Sequence, residues 1–184
     1  YGMLHRAHHV YADTEQDPHS PKYDANPFAM MRRTAGWYNG LLYGTKQPEE
    51  RFTRDLPHWK TMERVGESWV SRIGWGLLYV AFYVQFATAW WQWLLLPLQF
   101  VMGPLHGAII NWYAHKYGYV SYPTDNTSKN MMPLDLLMMG EGLHNNHHSH
   151  AARANFGTHW WEFDPTWPII RVLHALGVIK LVVN

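Results

Sequence analysis

Residues 73–96 read IGWGLLYVAFYVQFATAWWQWLLL, 24 consecutive positions without a charged side chain. As a helix rising about 1.5 Å per residue the stretch reaches about 36 Å, enough to cross the hydrocarbon core of a bilayer. A soluble core helix so long and so uniformly apolar would be uncommon. Pro97 is expected to break the run. Apolar character then resumes over residues 98–115, LQFVMGPLHGAIINWYAH, a returning span that carries Pro104, His106 and Asn111. Polar groups within a membrane bundle tend to face the protein interior and to serve function. Arg51, Arg54, Lys60, Arg64 and Arg72 precede the first span, Lys116 and Lys129 follow the second, and the linker between them is uncharged. By the positive-inside tendency both outer ends of this hairpin lie in the cytoplasm.

Those outer ends are rich in histidine. In GEGLHNNHHSH, Gly140 to His150, the rings of His144, His147 and His148 stand at i, i+3 and i+4 and share one helix face. The same H-x-x-H-H spacing occurs at the start of the chain, where HRAHH places His5, His8 and His9. A third element, NWYAHKYGY, sets Asn111 and His115 one helical turn apart. One such trio is also compatible with an adventitious metal site, a pH-sensitive surface or satisfied core polar groups. Two copies of identical spacing, all on one side of the hairpin, point to a metal centre in which the three motifs meet.

The chain has 184 residues, enough for one domain, and its net charge of +1 gives no electrostatic case for nucleic acid. Eleven Trp and eleven Tyr suit a membrane interface, where amphipathic rings settle. Zero cysteines exclude disulfides, thiolate zinc sites and cysteine-bound iron–sulfur clusters within the chain. The sequence opens at Tyr1 without an initiator Met or a signal-peptide pattern, and reads as part of a longer protein. Residues 1–72 carry the first trio and part of a cap, 73–117 the two spans, and 118–184 the second trio and the rest of the cap. Helices are expected near Met30 to Leu42, from Pro133 through the second trio, and from Thr166 to Leu181. The last has apolar residues at helical spacing and would cover the metal domain or lie on the bilayer surface.

The ordered elements HRAHH with Asp17-Pro18-His19-Ser20-Pro21, NWYAHKYGY and GEGLHNNHHSH resemble the membrane-bound fatty acyl desaturases, and among them the stearoyl-CoA desaturase-like enzymes with their bacterial members. The resemblance covers nearly the whole chain, more loosely over residues 25–65. It implies an all-α fold, in which a membrane-embedded helical hairpin with a cytosolic helical histidine-box cap forms the C-terminal part of a four-transmembrane-helix protein. It further implies two iron ions held by nine histidines and one water-linked asparagine. By motif, His5, His8 and His9 resemble the second histidine box and His144, His147 and His148 the third, with His115 the extra ligand and Asn111 the residue holding water. That accounts for seven histidines. The other two belong to a first box, of H-x(3-4)-H type, expected before Tyr1, so the isolated chain is expected to be inactive.

The implied reaction is O2-dependent desaturation of a long-chain acyl-CoA or other acyl thioester, with electrons from an external cytochrome b5- or ferredoxin-type donor. Imidazole suits iron, and the soluble di-iron pattern of two Glu-x-x-His motifs with two further Glu on bundle helices is absent from the sequence. Asp13, Glu15, Asp17 and Glu141 lie near the boxes, and Asp17 and Glu141 are the favoured carboxylates to orient the imidazoles. Lys46 resembles a basic position that contacts CoA, with a solvated lysine as the alternative. His106 could line the acyl tunnel or be structural. His19, His58, His150, His159 and His174 read as structural or exposed. Rival readings are another histidine-box oxygenase, such as a lipid hydroxylase or a desaturase acting on sphingolipid or glycerolipid, and a non-catalytic membrane metal-binding or structural protein such as a truncated paralogue.

Overall fold

The computed structural model describes residues 1–56 and 58–181. Among them lie α1 (Gly2–Tyr11), α2 (Pro27–Leu42), α3 (Glu50–Thr53), α4 (Lys60–Glu67), α5 (Trp69–Phe86), a 3-10 helix (Trp90–Leu95), α6 (Leu96–Tyr113), α7 (His144–Ser149) and α8 (Thr166–Ala175). The described residues form no strand, only isolated bridges, so the fold is all-α as expected. The chain divides into two units, one of Tyr1–Phe52 with His106–Asn184 and one of Thr53–Leu105.

In the Thr53–Leu105 unit, the Ser68 side chain caps α5 by accepting from the Ser71 amide at 3.1 Å. α5 starts before the expected span and ends at Phe86. The chain turns at Ala87–Ala89, where the Gln92 side-chain oxygen accepts from the amides of Thr88 at 2.6 Å and Ala89 at 2.8 Å. The apolar run therefore breaks here and not at Pro97, which sits in the first turn of α6, where a missing N–H costs little. From the 3-10 turn the helix continues through Tyr113. This 24-residue stretch, which includes an 18-residue window of mean hydropathy 1.5, is the one helix among the described residues long and apolar enough to cross a membrane. α5, with Arg72 and Gln85 near its ends, falls short of that measure. α5 and the start of α6 meet through the Tyr79 and Phe100 rings, 6.0 Å apart, and at Gly76, where a Cβ would lie 3.3 Å from the Phe100 ring.

In the other unit, Asn26 caps α2 by accepting from Ala29 N at 2.9 Å, and Pro27 supplies the first turn. Met30 of α2 packs against Ala108 and Trp112 of α6. Most of what is buried here is polar. His8, Asp17, Asn130, Asp135, His144, Asn145 and Asn146 are each at most 1% exposed, an arrangement that requires partners for nearly every polar atom.

The helix expected from Pro133 forms only over α7. Asp135 gathers the preceding residues into a turn: its carboxylate accepts from Met138 N at 3.1 Å and from Gly142 N at 2.5 Å. Met139 (φ 55°) and Gly140 (φ 92°) then leave helical space. α8 also stops earlier than expected. Gly177 (φ 71°) closes it, with its amide on His174 O and the Val178 amide on Leu173 O, both 3.0 Å, in a Schellman arrangement.

Candidate metal centre

α1 and α7 each present an H-x-x-H-H face, and the two faces meet. One group joins His5 and His9 of α1 with His147 of α7. Their Nε2 atoms form a triangle with edges of 3.1 Å (His5–His9), 3.1 Å (His5–His147) and 2.9 Å (His9–His147). Each nitrogen carries either a proton or a lone pair, so no assignment makes all three edges hydrogen bonds. A cation held by all three would resolve the conflict. For a metal–imidazole length of about 2.1 Å, ligands at right angles stand about 3.0 Å apart and tetrahedral ligands about 3.4 Å. The edges of the triangle are those that His5, His9 and His147 would need to hold one such cation together.

The second group joins His8, His115, His144 and His148. Nε2 atoms run in sequence from His8 to His148, His148 to His144 and His144 to His115, each step 3.1 Å. His8, His115 and His144 are at most 3% exposed. Burial is the main reason why the imidazoles of His5, His8, His144 and His148 titrate below the usual range, and repulsion among rings adds to it at His8, His144 and His148. The same causes bring His9 down to about 4 and His147 to about 2. The rings are thus neutral at physiological pH, with lone pairs available to a metal.

Carboxylates fix the orientation of two rings. The Asp17 carboxylate accepts from His8 Nδ1 at 2.9 Å, leaving Nε2 for a metal. Asp17 is itself held by the amides of Asp13 at 2.9 Å and His19 at 3.0 Å. At His115 the carboxylate is Asp13, 3.6 Å from Nδ1, with Thr127 between them: its hydroxyl is 2.7 Å from Asp13 and 3.2 Å from His115. Burial alone would raise the Asp13 carboxyl, but contacts from His115 and Thr127 hold it well below the usual carboxylate range. Glu141, expected in this role, is exposed, because the Asp135 turn carries it outward. Asp13 occupies the position instead.

α7 has only six residues and is held by what lies between its histidines. Asn145 accepts from the amides of Ser121 and Tyr122, both at 2.9 Å. Asn146 donates to Phe156 O at 2.9 Å and to Glu162 at 2.7 Å, and accepts from Asn130 Nδ2 at 2.8 Å. The asparagines of H-N-N-H-H were absent from the expectations. Their signal was present: two amides on the face opposite three ligands, in a helix too short to stand alone.

His19 was expected to be structural or exposed. It is buried, its ring centroid lies 4.1 Å from that of His8, and neither ring nitrogen has a hydrogen-bond partner. Asn111 precedes His115 by one turn and donates its amide to Gly107 O at 2.8 Å. His106 is half-buried on α6 and belongs to neither histidine group. Lys46 is exposed, its ammonium 4.0 Å from the centre of the Trp37 ring. Trp37, with Leu4, Ala7, Leu41 and Phe52, also lines an apolar cavity of about 210 Å³.

The family model for fatty acid desaturases matches residues 1–177. Among curated proteins, the chain is 33% identical to the sn-1 stearoyl-lipid 9-desaturase of Synechocystis sp., covering 96% of this chain and 53% of that protein. It is 30% identical to the enzyme of the same name from Anabaena variabilis, over 95% of this chain and 61% of the relative. With the icosanoyl-CoA 5-desaturase of Limnanthes douglasii it shares 30% identity over 95% of this chain and 47% of that protein. The chain thus spans about half the length of these relatives. No solved structure matches it.

Proposed function

This chain belongs to the fatty acid desaturase family, and from that premise we propose that it supplies most of the di-iron site with which a membrane enzyme desaturates long-chain fatty acyl groups. The observation that carries the proposal is the division of seven imidazoles into two groups, with neighbouring Nε2 atoms 2.9–3.1 Å apart. His8, His115, His144 and His148 hold one iron, and His5, His9 and His147 supply part of the shell of the other. Asn111 has its amide nitrogen committed to Gly107, which leaves its oxygen to accept from a metal-bound water. Iron, when bound, supplies reduction of O2 to an oxidant able to take hydrogen from unactivated methylene carbons. In the overall balance the acyl chain gives up two hydrogens, an external cytochrome b5- or ferredoxin-type protein gives two electrons, and two protons complete the formation of two waters.

The protein's own residues position and shield. Asp17 and Asp13 keep the rings of His8 and His115 turned with Nε2 inward, and burial excludes water from the reacting atoms. The apolar cavity beside α1 suits a segment of acyl chain. Lys46, held above Trp37, suits an anionic carrier such as CoA or a lipid headgroup. The Trp90–Tyr113 helix anchors the chain in the bilayer as part of a multi-pass hairpin with α5, the histidine groups facing the cytoplasm. Residues 1–72 and 118–184 make the cap, and residues 73–117 the spans, of one desaturase domain.

The test is expression of a protein extended N-terminally to the length of its relatives, with electron donors, followed by analysis of lipid and CoA-bound acyl groups. A new cis double bond is expected. Hydroxylated products without unsaturation would overturn the assignment.

A further inference from the structure

α8 is apolar on more than one side. Trp167, Ile170 and Leu173 are half-buried against the unit that contains them, while Ile169, Val172 and Leu176 form an outward stripe, with Leu176 70% exposed. A helix with apolar residues on two sides covers only one of them against its own unit. Two loops beside it show the same excess. The segment after Pro133 exposes Leu136 and Leu137, the latter by 73%, and the segment before α8 exposes Trp160 by 93%. The loops are stitched together by the Phe163 amide on Pro133 O at 2.7 Å and the Thr166 hydroxyl on Met139 O at 2.5 Å.

Charge separates in these same segments. Asp135, Glu162 and Asp164 are turned inward, at most 8% exposed, and spend their oxygens on amides and hydroxyls. Arg153, Arg171 and Lys180 remain at the surface, against Glu141 as the exposed acid. Outward aromatic and aliphatic side chains with basic residues among them are the composition of a surface that seats at the headgroup level of an anionic bilayer. We infer that α8 and the loops tipped by Leu137 and Trp160 form a second membrane contact, lying in the interface and not crossing it, separate from the Trp90–Tyr113 helix. The inference rests on the membrane reading above and adds the lipid-facing surface of the histidine-bearing unit. Its effect is to hold α7, which the same loops enclose, at a fixed depth beside the bilayer.

The absence of cysteine makes the test direct. Single variants Leu137→Cys and Trp160→Cys, at largely exposed positions, are labelled with an environment-sensitive fluorophore. The whole chain is reconstituted in phosphatidylcholine–phosphatidylglycerol vesicles, with Leu94→Cys reporting the proposed span and Glu15→Cys an exposed position outside the surface. Labels at 137 and 160 should shift to the blue, lose intensity to nitroxide carried on lipid, and resist aqueous iodide, whereas the label at 15 should yield to iodide. Iodide quenching at 137 and 160 equal to that at 15 overturns the inference, as does protection from both quenchers, which would mean cover by protein. The label at 94 reads the membrane proposal separately: a water-exposed signal there would defeat the span whatever the other two positions report.

Discussion

A carboxylate is legible in sequence only as a candidate, because its direction depends on the backbone that carries it. Asp13 adopts φ 62°, and this left-handed turn sends its side chain back toward Thr127, 114 positions away in sequence. The histidines were legible because helical spacing alone fixes their common face, but nothing in the residue pattern distinguished Asp13 from Glu141. The supporting role of Asp17 leads to a specific expectation. Asp17→Asn keeps the shape but weakens the acceptor at His8 Nδ1, and should lower iron affinity by about 10–100-fold, read by competition with a chelator. His115→Ala removes one of four nitrogens and should reduce the iron-to-protein ratio of folded, purified protein. Asn111→Ala should reduce it less, and His174→Ala, whose ring meets the Ile179 carbonyl at the surface, should leave it unchanged. An unchanged ratio in His115→Ala would remove that residue from the site.

Among the elements, the apolar helices and the body of α2 announce themselves through composition, whereas the capped start of α2, the ends of α5 and the path from Pro133 to α7 do not. Those were decided by side chains reaching their own backbone, Gln92 at the Ala87–Ala89 turn and Asp135 before Gly142. Gly140 shows the cost of altering such a turn. With φ 92° and the Asp164 carboxylate against the place a Cβ would occupy, Gly140→Ala should destabilise the fold by about 1–3 kcal/mol, measured by thermal or denaturant melting. Glu162 should give the same region an acid limit. Burial would raise its carboxyl, but the amides of Thr158 and His159, the Tyr119 hydroxyl and the Asn146 amide together bring it down to about 2 from an ordinary 4.5. The folded state then binds fewer protons than the unfolded one, so the stabilisation is complete above about pH 4.5 and is lost as pH falls toward 2. Glu162→Gln should flatten the melting curve's pH dependence across that interval. An unaltered dependence would show that the carboxylate is not the group responsible.

For the whole molecule the two histidine groups are unequal. One gathers four nitrogens and the other three, so iron titrated into the isolated chain should bind in two steps, a tighter equivalent at His8, His115, His144 and His148 and a weaker one at His5, His9 and His147. Two equal affinities, or reconstituted chain producing substantial unsaturated acyl product by itself, would contradict the proposal that a further part of the protein completes the second shell. The way the site is assembled also has a consequence in time. His5 and His147 touch across 142 positions, and His8 and His148 across 140. At ribosomal rates of about 5–20 residues per second, the first trio waits on the order of ten seconds for its counterpart to be synthesised. During that interval the histidine face of α1 has no partner, and the apolar Trp90–Tyr113 helix has already been made. Metal capture by the proposed site would therefore be a late event in the life of the nascent chain. Premature termination just before α7 would leave His5, His8, His9 and His115 without the three histidines that complete either group.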